Sequence, residues 1–268
     1  MITLSEIWIY PVKSLGGIRL REAQVQAKGL QYDRRWMIVD EEGVFLTQRA
    51  FTQMALIDVS LESNGLKLHS RLDGSIIDIP FQPEDAREIT VKVWDDTVPA
   101  LTVSIKADEW LSKQLGKALT LVVMPDTTER KADPNYAKHN ENVSFADGFP
   151  YMMISQAALD NLNSKMERDL EMRRFRPNFV LAGTAPHEED NWSAIRIGEV
   201  EFEIVKPCAR CVLTTVDPDT GNKGAEPLKT LATYRRINNK IMFGQNAVAK
   251  RNGVISQGDP VVVLKTTL

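Results

Sequence analysis

Near its start the chain alternates. Ile7 and Ile9 fall on one side, Trp8 and Tyr10 on the other, and Pro11 closes the run, which is the period-two signature of a half-buried strand. The same pattern returns at short intervals as far as Ser104. Arg35–Asp40 and Val44–Gln48 flank Glu41-Glu42-Gly43, and Leu56–Leu61 and Leu66–His69 flank Asn64-Gly65, the latter a strong short-range hairpin signal. Ser75–Phe81, Glu88–Trp94 and Val98–Ser104 continue the series, with Asp95-Asp96 as a further turn. Many short strands joined by turns predict a barrel- or sandwich-like module.

Helical spacing comes later. Lys106–Leu115 places Trp110, Leu111 and Leu115 on one face, and Ser155–Met166 stripes Ala158, Leu159 and Leu162 behind a candidate N-cap at Ser155. Pro227–Ile237 opens on proline, a favoured first helical residue. Strands are expected at Leu119–Met124, Phe179–Ala182, Ala194–Ile197, Val200–Val205, Val212–Val216 and Pro260–Leu264. The polar stretch Pro125–Asn140 reads as a junction. The fold class is therefore mixed α/β and mostly β, a barrel- or sandwich-like first half followed by a mixed second half. No internal repeat or low-complexity segment is visible.

Composition narrows the function classes. The chain has 268 residues, 43% hydrophobic and 26% charged, with a formal net charge of −3, so it can bury a substantial core and offers no global excess of positive charge to a phosphate backbone. No nucleic-acid partner is expected. The N-terminus MITLSEIWIYPVKS lacks a basic segment ahead of an apolar one, and no apolar run approaches the ~20 residues that span a bilayer. A cytoplasmic protein without a membrane anchor is the expectation. Two cysteines are too few for a disulfide framework.

Both of those cysteines lie in one segment, Val205–Gly221, as Cys208 and Cys211 in a C-x-x-C pair. A zinc site needs about four ligands, and His69, His139 and His187 are scattered. A redox dithiol normally opens a helix after a strand, whereas Cys211 runs into the β-branched Val-Leu-Thr-Thr-Val. Two inert thiols remain an open reading on spacing alone. Elsewhere, charged and amide residues stand at the edges of expected strands: Pro11–Ser14, Tyr32–Trp36, Ser144–Pro150, Phe175–Asn178 and Phe243–Asn246. Singly these are ordinary surface residues; together they occupy the positions where binding groups are mounted on a rigid scaffold.

PVKS at 11–14, DR at 33–34, FRPN at 175–178, C-x-R-C-x-L-T-T-V-D-P-D-T-G at 208–221 and FGQ at 243–245, in that order, resemble the MOSC proteins over nearly the whole chain. More narrowly they resemble the amidoxime-reducing component and its bacterial YcbX-type relatives. The resemblance implies a β-barrel-like MOSC N-terminal domain over residues 1–120, then a MOSC-type β-barrel domain with peripheral helices over residues 125–266, and a molybdenum–molybdopterin cofactor. A thiolate is a soft ligand suited to such a metal, and by resemblance it is Cys211, the catalytic and metal-binding residue. Phosphate and pterin oxygens call for cationic, preferably forked donors; the matching positions are Lys13, Arg34 and Arg176, with Ser14 as a hydroxyl donor and Asn178 and Asp147 as mixed pterin edges. Arg210 and Lys206 are candidates to face the Cys211 sulfur. Relatives often carry a small hydroxyl residue after the position of Asp147, where this chain has Gly148 and Phe149. Cys208 receives no role beyond packing or proximity to the site.

The implied reaction is reduction of N-hydroxylated compounds (amidoximes, hydroxylamines, hydroxylated bases) by oxygen-atom abstraction at molybdenum. The chain has no G-x-G-x-x-G and too few cysteines for an iron–sulfur cluster, so a separate electron donor, a ferredoxin-like or flavin reductase protein, is the expected partner. A cofactor carrier or persulfide-transfer protein is the alternative, with both cysteines then bearing sulfur. Asp217 and Asp219 read as turn residues in Asp-Pro-Asp-Thr-Gly.

Overall fold

The computed structural model describes residues 1–267. The first alternating run forms the strand Thr3–Ile9, with Leu4, Ile7 and Ile9 fully buried. Only one of its two partners is its neighbour in sequence. It pairs with Ile18–Leu20 on one side and antiparallel with Phe179–Ala182 on the other. The N-terminus is thus part of a nine-stranded sheet running Val261–Thr266, Trp192–Ile197, Val200–Arg210, Lys240–Ala249, Tyr151–Ser155, Phe179–Ala182, Thr3–Ile9, Ile18–Leu20, with Arg236–Ile237 added on Lys240–Ala249. The strand Glu22–Gln26 pairs with Gly253–Ser256 from the far end of the chain. Two smaller sheets are local to the first half: Trp36–Val39 with Thr120–Val123, Asp96–Thr102 and Glu88–Val93, and the meander Ile57–Glu62, Gly65–Ser70, Ile76–Pro80.

The apolar faces close two main cores. One lies inside the large sheet around Tyr151, Phe179 and Phe202, whose rings sit 5.2 to 5.6 Å apart. The other lies under the helix Ile105–Leu115, which lays Ala107, Leu111 and Leu115 against the small sheets and ends on the left-handed Gly116. Ser155 caps the helix Gln156–Asn163 by accepting from the Ala158 N–H. Among the described residues no helix is long and apolar enough to cross a membrane.

Several expected elements are displaced, each for a physical reason. The Asn64-Gly65 turn moves back by one residue: Gly65 pairs with Glu62, leaving Ser63 and Asn64 as the loop. Gly65 serves close packing, since a Cβ there would overlap the Ile79 carbonyl oxygen. The Asp95-Asp96 turn likewise becomes Trp94-Asp95, because Asp96 pairs with Val93 and Trp94 takes φ 55°. Val44–Gln48 contributes bridges rather than a strand. Val212–Thr215 is a 3-10 turn, not the expected strand, as the Thr214 and Thr215 hydroxyls donate back to the carbonyls of Cys211 and Val212. The helix expected over Pro227–Ile237 shrinks to Leu228–Leu231, after which Arg236–Ile237 joins the sheet edge through a tight turn at Asn238 and Asn239. The short strands Ile18–Leu20, Glu22–Gln26 and Gly253–Ser256 carried no sequence signal strong enough to expect them.

Phe179 is fully buried, stacked on Tyr151 and met edge-on by Phe202. Phe179→Ala is expected to lower unfolding free energy by about 3 to 5 kcal/mol, read from denaturant midpoints; a loss below ~1 kcal/mol would contradict this packing.

Candidate active site

Three loop segments are knitted together beside the end of the first strand. Asp33 is fully buried and accepts from the Tyr10 N–H at 2.8 Å and from Arg34 Nη1 at 2.8 and 2.7 Å. Arg34 N–H donates to the Tyr10 carbonyl, Lys13 N–H to that of Trp36, and Phe145 N–H to that of Arg34. Arg176 enters from the other half after the 3-10 turn Met172–Phe175; its Nη1 donates to the Leu15 carbonyl at 2.7 Å and its own carbonyl accepts from Arg34 Nη2 at 3.1 Å. Both guanidiniums lie over the Tyr10 ring, at 4.3 and 4.1 Å. Ser14, Arg34 and Arg176 hold φ of 68°, 50° and 55°, left-handed conformations costing on the order of 1 to 3 kcal/mol each that persist where surrounding contacts over-determine them.

These segments wall a cavity of about 660 Å³, within the size range of cofactor sites. Lys13, Ser14, Arg34, Asp147, Arg176, Asn178 and Cys211, every residue expected from the sequence, line it together. Six cationic residues face it (Lys13, Arg34, Arg176, Lys206, Arg210 and Lys240) against one carboxylate, Asp147. Burial pulls Arg176 down to about 10, with Arg34 beside it acting the same way, and its Nη2 is buried without a hydrogen-bond partner. Lys13 is only 4% exposed and donates to the Phe145 carbonyl at 2.7 Å and to Asp147 Oδ1 at 2.6 Å. Burial lowers its pKa from 10.5 to about 8, with Asp147 opposing. Desolvation pushes the Asp147 carboxyl up, yet Lys13, Arg49 and the Trp94 indole N–H outweigh it and hold the group well below the ordinary carboxylate range.

The two cysteines are free and have unlike surroundings. Cys208 sits on the strand Val200–Arg210 and packs against the apolar cluster of Met152, Phe175 and Phe243; burial pushes its thiol up. Cys211 follows that strand at the entry to the 3-10 turn, and its Sγ accepts from Arg49 Nε at 3.2 Å. Arg49 also reaches Asp147 Oδ2 at 3.5 Å and stacks 4.2 Å over Trp94. The side chains expected beside Cys211 go elsewhere: Arg210 donates to the Phe243 and Phe175 carbonyls, and Lys206 lies 4.0 Å over Tyr136.

Comparison with known proteins places this architecture. Residues 140–262 match the MOSC domain and residues 1–118 the MOSC N-terminal beta barrel domain. Mouse mitochondrial amidoxime-reducing component 1 is 33% identical over 280 residues, spanning 98% of this chain and 82% of the mouse protein. Human mitochondrial amidoxime reducing component 2 is 32% identical over 277 residues, spanning 97% and 82%. This chain belongs to the MOSC-domain family of amidoxime-reducing components.

Within that family frame, two of the expected pterin contacts are partly committed. Asn178 Nδ2 donates to the Trp8 carbonyl and Oδ1 accepts from the Met152 N–H, leaving one N–H and one lone pair for a ligand. Asp147 accepts from Lys13, Arg49 and Trp94. Asp217 is confirmed as a turn residue, accepting from the Asp219 and Thr220 N–H groups and pairing with Arg174 at 2.9 Å. Arg49, Trp94 and Arg130 were not legible as site residues. Arg130 is 4% exposed and donates to the Ser144 and Ala146 carbonyls, shaping the Asp147 loop. No local pattern marks any of the three, since none lines the cavity itself and each acts through a residue that does: Arg49 through Cys211 and Asp147, Trp94 through Asp147, Arg130 through the Ala146 carbonyl.

Two outcomes follow from these surroundings. Both cysteines line the cavity and are half-buried, but burial pushes up the Cys208 thiol while the Cys211 sulfur has the Arg49 guanidinium against it. In cofactor-free protein iodoacetamide is therefore expected to modify Cys211 before Cys208, as read by peptide mass spectrometry; the reverse order would contradict these environments. For Lys13, the unfolded chain binds more protons than the folded one between the two pKa values. Its contribution to stability therefore improves as pH rises through that window, while a ligand needing the charged ammonium binds less well over the same rise. The affinity of the cavity for inorganic pyrophosphate, measured by calorimetry, is expected to fall between about pH 7 and about pH 9, and Lys13→Met to flatten that profile. A flat profile in the unsubstituted protein would count against this.

Proposed function

We propose that the protein is a molybdenum-cofactor-dependent reductase of N-hydroxylated compounds: amidoximes, hydroxylamines and hydroxylated bases. Family membership supports the coarse reading, a reductase of this substrate class. The observation that carries the finer one is a single cavity holding a cysteine sulfur and a cationic wall with one unpartnered guanidinium nitrogen.

The residues present fit the group. An anionic phosphate and an acceptor-rich pterin suit Lys13, Ser14, Arg34 and Arg176, whose excess positive charge is only partly met by Asp33 and Asp147. The orphaned Arg176 Nη2 offers a donor in a place where an unsatisfied polar atom is costly. Among the described residues no three His, Cys, Asp or Glu side chains gather to hold a metal, so a metal at Cys211 must arrive with other ligands already attached, as molybdopterin provides. Bound there, the cofactor supplies the two-electron chemistry that removes the oxygen of an N–OH group. The chain's own part is to orient and neutralise. Asp147 keeps Lys13 in place, Arg49 holds the sulfur, and Asn178 ties the strands that carry the pocket. Cys208 lines the same cavity but packs against an apolar cluster, and burial pushes its thiol up, which favours this reading over a persulfide relay using both thiols.

The electron donor is a separate ferredoxin-like or flavin protein in this reading, and the location is cytoplasmic, to be checked by fractionation against the relatives' mitochondrial names. Freshly purified protein is expected to contain molybdenum and to reduce benzamidoxime with dithionite-reduced viologen, but not with NADPH alone. Cys211→Ala is expected to cut that rate about 100-fold or more while the melting temperature holds. Native-rate turnover by cofactor-loaded Cys211→Ala would remove the assignment, and cyanide-releasable sulfur without reductase turnover would favour the sulfur carrier.

A further inference from the structure

We propose that the rim of the cavity is the docking face for an acidic one-electron carrier protein, an inference that rests on the reductase reading above. The hairpin Arg236–Ile237 and Lys240–Ala249 projects there. Arg236 pairs with Ile241 and Ile237 with Lys240 across a two-residue turn whose Asn238 and Asn239 have φ of 47° and 62°, the mirror-type geometry that suits a tight hairpin. The projection is therefore a built feature of the sheet edge. Its inner side, Asn238, Lys240 and Met242, lines the cavity; its outer side leaves Ile237 51% exposed.

A second stretch, adjoining the cavity-lining Cys211 and Leu213, is of the same kind. Val212, next to Cys211, is 42% exposed, and the Lys223 ammonium reaches the backbone oxygen of Arg49, the residue that holds the Cys211 sulfur. Lys223, Arg236 and Lys240 are exposed, and among the described residues none has a carboxylate within ion-pair distance. A chain of net charge −3 thus presents unneutralised positive charge and two exposed aliphatic side chains around the opening that leads to its cysteine. Charge of one sign around a cleft steers an oppositely charged partner and fixes its register, and the apolar pair supplies contact area once it arrives. A negatively charged face on a small iron–sulfur or flavin protein meets both demands.

The electron count requires such a partner. Each turnover breaks one N–O bond and releases the nitrogen compound as N–H and the oxygen as water, taking two electrons and two protons. Two reduced carriers supply one electron each and leave oxidised, and the protons come from solvent.

The test uses cofactor-loaded protein, benzamidoxime, and a purified plant-type [2Fe–2S] ferredoxin kept reduced by NADPH and its reductase. In Arg236→Glu/Ile237→Ser protein the ferredoxin concentration giving half-maximal rate is expected to rise about tenfold or more, while the rate with dithionite-reduced methyl viologen stays within about twofold of the unsubstituted protein. Arg236→Lys is expected to behave as unsubstituted protein. Raising salt from about 0.05 M to about 0.5 M is expected to slow only the ferredoxin-driven reaction. Arg236→Glu alone serves if the double variant does not fold. An unchanged ferredoxin dependence, or equal loss with both reductants, overturns the docking face. So does unsubstituted protein that accepts electrons from viologen but from neither ferredoxin nor an acidic flavodoxin. Failure of viologen itself with molybdenum-loaded protein sinks the reductase reading, and this face with it.

Discussion

A carboxylate removed entirely from water organises this molecule. Asp33 has no exposure and spends its oxygens on the Tyr10 N–H and the Arg34 guanidinium. A buried charge left without partners costs several kcal/mol, so the two loops that satisfy it cannot drift apart without a heavy penalty. Arg34 is thereby held over Tyr10, beside Arg176 from the other half of the chain. The result is a concentration of positive charge that the protein itself does not fully neutralise. Burial lowers the pKa of both Lys13 and Arg176, which means that their charged forms are held at a cost that a bound anion relieves.

The same economy of partners separates the two thiols. Three residues apart in sequence and both on the cavity wall, they keep different neighbours: Cys208 an apolar cluster, Cys211 a guanidinium. The bulged end of the strand Val200–Arg210, whose register against Lys240–Ala249 slips between Pro207 and Ala209, and the turn that follows it make this possible. The guanidinium comes from Arg49 in the first half of the chain. Neither half holds the sulfur alone, and the strands that cross between them, Thr3–Ile9 with Phe179–Ala182 and Glu22–Gln26 with Gly253–Ser256, keep the two walls in register.

Where the sequence misled, tertiary contacts outweighed local preference. Asn64-Gly65 has the composition of a turn, but the glycine is needed one place later, where the Ile79 carbonyl leaves no room for a side chain. The β-branched run after Cys211 has strand propensity, yet its threonine hydroxyls satisfy the nearby carbonyls and let it turn. Pro227 opens a helix that lasts one turn, because the edge of the large sheet offers Arg236 and Ile237 hydrogen bonds that a longer helix would forgo. Strong alternation, as in Thr3–Ile9 and Glu88–Val93, and clear caps, as at Ser155, survived folding unchanged.

By itself the sequence determined which groups are available to a site: a cysteine pair, and cations and amides placed at strand ends. These are chemical identities, and folding cannot alter them. It also determined the mostly-β character, because period-two burial is a property of neighbouring residues. Only the tertiary structure decided that Arg49, not Arg210 or Lys206, meets the Cys211 sulfur, and that Asp147 is engaged by Lys13, Arg49 and Trp94. Those choices depend on which side chains the crossed sheets bring within hydrogen-bond reach of each other, and no local pattern encodes a distance between residues 53 to 162 positions apart.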